Sequence, residues 1–217
     1  MTLSAGKIAR CLRHGEKPHT KDPLVIAPTP DLESLSRSGE ASVDLRLGTW
    51  FLRLQQARTS HIQVGEQIAQ SQIVKSIYVP FGGQYYLHPR TFVLGITLEW
   101  IRLPKNMTAY VIGKSSWGRR GLIIATATGV HPGFVGCLTL ELTNVGEMPI
   151  EIEPGMKICQ IFIHEVAMTG SESVRKSQFV GSRIPKLGAV KLDDFASQLA
   201  KSPYGLHSKK SPSPTTP

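Results

Sequence analysis

The 217-residue chain is short of cysteine: Cys11, Cys137 and Cys159 lie far apart, with no CxxC spacing. That argues against a disulfide framework and a cysteine zinc site, and fits a reducing cytoplasm. Long apolar runs are also missing, so no segment is expected to span a bilayer. The first residues, MTLSAGKIARCLRHGEK, lack the continuous apolar core and small-residue cleavage site of a secretory signal. The histidines form no HxxxH pair, and no PCxxC is present to complete a zinc-deaminase signature. There is no Walker loop, no Rossmann glycine pattern and no GxSxG elbow. Nor is there an internal repeat.

What is present is an ordinary globular composition, 41% hydrophobic and 19% charged, in a chain long enough for one true core. The formal net charge is +9, and eight Lys/Arg against three Asp/Glu beyond residue 171 give that segment +5 of it. A basic balance suits nucleic acid, a membrane surface or small polyanions. The cations form no continuous stripe and are not interleaved with aromatic rings, so nucleic acid is disfavoured and nucleoside triphosphates fit at least as well.

Residues 3–14, LSAGKIARCLRH, read as a short helix capped by Ser4, with Ile8 and Leu12 as an i,i+4 apolar pair. The Pro-rich passage from Gly15 to Glu40 reads as loop. From ASVDLRLGTWFLRL onward, short β-rich runs alternate with Gly/Pro turns as far as MKICQIFIHEV, the texture of a mainly β sandwich or barrel. VKLDDFASQLAK suits a short helix, and the last residues, KSPYGLHSKKSPSPTTP, read as disordered. The organisation expected is one domain over 1–170 and a basic tail over 171–217.

Two stretches carry the chemistry. GKSSWGRRGL sets Ser115 and Ser116 beside Lys114, Arg119 and Arg120. In CLTLELTN, Leu138, Leu140 and Leu142 share one face of a strand, and Thr139, Glu141 and Thr143 share the other. A carboxylate on a rigid strand is well placed for catalysis, although a solvated turn and a solvent-facing glutamate would also fit these residues alone.

The run GKSSWGRRGL resembles the GRSSLARLGL motif of dCTP deaminases, members of the trimeric dUTPase-like superfamily. ATATGVHPGFVGCLTLELTNVGEMPIEIEPGMKICQIFI, ASVDLRLGTWF and YYLHPRTFVLGITLEWIRLP are similar to further blocks of that family, in order, from near residue 3 to about Val166. The resemblance implies a distorted, jelly-roll-like β-barrel, a homotrimer with shared sites, and hydrolytic deamination of a cytosine nucleotide, dCTP first, to dUTP and ammonia. It implies no resident cofactor, any Mg2+ arriving with the substrate triphosphate. Glu141 would activate the water and shuttle its proton, with Ser115 and Arg119 positioning the water and balancing charge. Lys114 and Ser116 would hold phosphate oxygens, charged donors forming short, strong bonds there. Thr139 would read the base edge, Ala127 would lie against the water, and Phe134 would pack under base or sugar.

The chain departs from the family at two places. His131 stands where the family has an aspartate that binds the sugar 3′-hydroxyl, or in dUTPases activates the hydrolytic water. Near the C-terminus, Gln178, Phe179 and Ser182 replace a lysine, a tyrosine and a glutamine that close over the triphosphate. These changes imply weaker sugar discrimination and, since histidine ordinarily titrates near neutrality, tighter nucleotide binding on mild acidification. A nucleotide-binding trimer with altered catalysis and, less favoured, a dUTP diphosphatase are the competing functions. Alternatively, His131 merely packs in its hairpin.

Overall fold

The computed structural model describes residues 1–17, 19–55, 73–125, 129–167, 181–188 and 198. Helix α1 (Ala5–Gly15) begins as its sequence predicts: Ser4 accepts the Lys7 amide, and Ile8, Ala9 and Leu12 are buried. The passage expected as loop holds more than that. Leu24 and Ile26 are buried around strand β1 (Val25–Ala27), and Asp31 accepts the Glu33 and Ser34 amides to cap α2 (Leu32–Arg37), which buries Leu35. Closely spaced prolines hide a short strand and a short helix from any periodicity argument, because neither element is long enough to show one.

The remaining strands are β2 (Val43–Arg46), β3 (Trp50–Leu54), β4 (Val74–Tyr78), β5 (Tyr85–Leu87), β6 (Phe92–Arg102) and β7 (Met107–Gly113), then β8 (Leu122–Ile124), β9 (Gly129–Val130), β10 (Val135–Asn144), β11 (Ile150–Ile152) and β12 (Lys157–Glu165), with the four-residue turn of helix α3 (Ser115–Gly118) between β7 and β8. The mainly β class is as expected. One sheet runs β4-β3-β6-β10-β8 with β1 also on β6, a second β2-β12-β7-β9, and a third pairs β11 with β5. Among the described residues these are open sheets, and the expected barrel is not closed. The inward rows of β6, β10 and β12 supply much of one continuous core, with Val93, Ile101, Leu140, Leu142, Ile161 and Ile163 fully buried. No helix among the described residues is long and apolar enough to cross a membrane.

Two strands position the motif residues. β10 lies antiparallel to β6 along its length and to β8 at its end, Leu142 to Asn144 facing Ile124 to Leu122. β7 runs beside β12 and delivers the chain to α3 at Gly113.

Candidate active site

The alternation expected on β10 is the one observed. Leu138, Leu140 and Leu142 are buried at 7%, 0% and 0% exposure, and Thr139, Glu141 and Thr143 are half-buried on the opposite face. The Ala125 amide donates to the Glu141 carbonyl at 2.9 Å, tying the strand edge to the end of β8. Thr143 Oγ1 donates to the Thr91 carbonyl at 3.0 Å, and Thr139 and Glu141 are the polar pair beyond it on this face.

Lys114, Ser115, Ser116 and Arg119 sit on a different element, the turn at the end of β7. Trp117 pins that turn: its indole packs on the core and donates to the Lys157 carbonyl at 3.0 Å. Both serines, Arg119 and Arg120 lie toward solvent, and Arg120 Nη1 donates to the Ser116 carbonyl at 2.8 Å. Gly121 closes the turn with φ +90°, and a Cβ there would stand 2.9 Å from the Gly146 amide, so only glycine fits.

Lys114 is engaged inside the chain. Its Nζ donates to Asp44 Oδ1 at 2.5 Å, while Lys157 Nζ reaches Oδ2 at 3.2 Å. Burial pushes the Asp44 carboxyl up, but the hydrogen bonds and charges of the two lysines outweigh it and hold the group below the ordinary carboxylate range. The sequence alone did not mark Asp44 as a site residue, although it is the acid of the SVDLRLG stretch.

His131 is exposed at the head of the turn into β10, where Gly133 takes φ +74° and the Phe134 amide donates to the His131 carbonyl at 3.2 Å. Phe134 is half-buried against the core. Ser182 is 8% exposed; its hydroxyl donates to the Ile184 carbonyl at 2.6 Å, and its own carbonyl accepts the Cys137 amide at 3.0 Å. With Gly181 donating to the Val135 carbonyl at 2.7 Å, this segment continues the free edge of β10 toward Thr139. It also brings Arg183 near Cys137, a cation that no motif signalled: burial pushes that thiol up, Arg183 opposes the shift and Glu99 adds to it. Cys159 is fully buried, and its thiol is pushed up to about 12 by burial, with Glu99 and Asp44 adding, so it is a core thiol. Ala127, Gln178 and Phe179 lie outside the described residues, and of the helix expected over VKLDDFASQLAK only Gln198 is described, helical and exposed.

One half of the expected constellation is thus a strand presenting Thr139 and Glu141. The other is an exposed turn of hydroxyls and guanidinium groups. Among the described residues no group of His, Cys, Asp and Glu side chains is placed to hold a metal ion.

Residues 3–166 match the dCTP deaminase-like family model. A dCTP deaminase of Natronomonas pharaonis is 36% identical over 89% of this chain and 96% of its own. A dUMP-forming dCTP deaminase of Dictyoglomus thermophilum is 38% identical over 77% of this chain and 81% of its own. Among solved structures, the 2′-deoxycytidine 5′-triphosphate deaminase of Agrobacterium tumefaciens shares the fold with a TM-score of 0.54, at 24% identity, over 75% of this chain. The match spans 46% of that longer chain. With the motif blocks in order and the family model matched from the first helix to the end of β12, the chain belongs to the dCTP deaminase-like family.

Proposed function

We propose that the protein deaminates dCTP hydrolytically, water entering at C4 of the cytosine and ammonia leaving to give dUTP. The observation that carries this reading is Glu141, half-buried on a leucine-anchored strand beside Thr139, in a chain whose relatives are named dCTP deaminases. Glu141 takes the water's proton as C4 becomes tetrahedral, protonates N3, and passes a proton to the departing amine. Thr139 and the adjoining main chain bind the base edge. Ser115 and Arg119 hold the water and balance charge, and Lys114 and Ser116 take phosphate oxygens, with Mg2+ entering only as the substrate's counter-ion.

The two halves meet across a subunit boundary in this reading, as a homotrimer with closed symmetry in which each site draws on two protomers. Its support is the exposure of Ser115, Ser116 and Arg119, and of Tyr110 and Ile112 on the adjoining β7, which offers apolar surface to a neighbour. Its setting is the reducing cytoplasm, in keeping with three free thiols. Light scattering at working concentration is expected to give a trimer; a monomer would remove the shared site.

Ammonia release from a panel of cytosine nucleotides tests the reaction, dCTP being the expected best substrate. No ammonia from any of them would end the deaminase reading. Because the Dictyoglomus relative is named dUMP-forming, pyrophosphate is measured in the same assay. We expect none, since His131 stands where a hydrolytic acid would be needed.

A further inference from the structure

We propose that Thr97 is a positioning residue for this site: its hydroxyl carries the β6–β10 ladder across a break and so fixes where β10 presents Thr139 and Glu141. The register shows the break. Cys137 faces Trp100 but Thr139 faces Ile96, so Leu138 alone stands opposite Thr97, Leu98 and Glu99. Bulges of this kind re-aim strands beside active sites.

The backbone gap is filled by side chains. The Leu138 amide donates to Thr97 Oγ1 at 2.9 Å, and that hydroxyl donates to the Glu99 carbonyl at 2.9 Å. Thr97 and Glu99 are each 1% exposed, so no bulk water replaces either bond. The far side is held just as firmly. The Glu99 carboxylate accepts the Arg46 amide at 2.8 Å and Arg46 Nη1 at 3.0 Å, Leu47 bridges to Thr97, and the Gly48 amide donates to the Ile96 carbonyl at 2.7 Å. The bulge is therefore anchored on β2, whose Asp44 also holds Lys114. Leu138 precedes Thr139 by one residue, so the bond that sets its amide also sets the strand that carries the base reader and the proton shuttle.

This rests on the reading of β10 as the catalytic strand, and the test separates the two. Thr97→Val keeps the branched shape and removes the acceptor, whereas Thr97→Ser keeps the hydroxyl. With the full-length protein, Thr97→Val is expected to lower kcat on dCTP by about 10-fold or more, since small misplacements of reacting groups are costly. The peptide spanning Leu138–Glu141 should exchange its amides faster, and Thr97→Ser should return both readouts close to wild type. A lowered Tm with kcat unchanged would reduce Thr97 to a packing residue and overturn the proposal. So would a serine variant as impaired as the valine one. Should the valine variant fail to fold, wild-type exchange still decides: rapid exchange at Leu138 would show that the bond does not hold the strand. Wild-type protein without ammonia release would instead overturn the functional reading, leaving exchange and nucleotide affinity to judge Thr97.

Discussion

The two halves of the proposed site are built in opposite ways. β10 is held on every side: buried leucines beneath, β6 along one edge, and β8 and Gly181–Ser182 at the two ends of the other. The α3 turn has no buried residue, no side-chain cap at Lys114, and Trp117 as its anchor. A group that moves protons between water, N3 and an amine must be placed to a fraction of an ångström, and only the first half offers that rigidity. Phosphates tolerate approximate placement by charged and hydroxyl groups, and in the proposed trimer an exposed turn can be completed by a neighbouring protomer. In the proposed reaction, the division of labour follows the division of packing.

The harshest probe of this asymmetry removes one group from each half. Glu141→Gln keeps the shape and removes the base; turnover should fall by at least ~100-fold, the scale of general acid–base catalysis, with nucleotide affinity largely kept. Arg119→Ala should cost nearly as much, because residues acting as a unit are not additive. The informative step is to mix the two variants. If each site takes Glu141 from one protomer and Arg119 from the next, mixed trimers contain some intact sites and ammonia release reappears. Two inactive variants that stay inactive after demonstrated subunit exchange would place both residues in one chain's site.

Which parts were legible in the sequence follows the same line. The β10 face was legible because strand alternation is local, stated by the successive residues from Leu138 to Leu142. The α1 cap was legible for the same reason, Ser4 lying three residues before its Lys7 donor. The Asp44–Lys114–Lys157 cluster was not, since it needs β2, β12 and the end of β7 side by side, and residues 70 positions apart carry no mutual signal. Thr97 was hidden still more deeply, because its role exists only in a register shift between two strands. In the other direction, the motif turn showed its residues at once and concealed that Lys114 already has an acidic partner.

A smaller effect belongs to the turn half. The lysines hold the Asp44 carboxyl below its ordinary range, so their contribution to stability is complete above the unfolded-state pKa and fades as pH falls through the folded-state value. Asp44→Asn should therefore lower stability at neutral pH by on the order of 1 kcal/mol, a modest figure because the pair is partly exposed. It should also flatten the acid side of the stability profile. Urea melts across the acid range and at neutrality check this, and an acid limb as steep as wild type would mean that other carboxylates carry it.

The finest distinction concerns His131, which belongs to neither half. It is exposed on a turn shaped by Gly133, just ahead of β10, and is not packed into the core. An aspartate at such a position only accepts a hydrogen bond from a sugar hydroxyl; an imidazole accepts or donates according to its protonation, and its grip on one hydroxyl is less exclusive. Wild-type protein should therefore separate dCTP from its 2′,3′-dideoxy analogue only weakly. His131→Asp should improve that ratio by about fivefold, the worth of roughly one net hydrogen bond. Calorimetry on the Glu141→Gln background, where substrate survives the titration, measures both affinities without turnover. A wild-type ratio already large and unchanged by the substitution would mean that the 3′-hydroxyl is held elsewhere, and His131 would then be a turn residue that the site does not use.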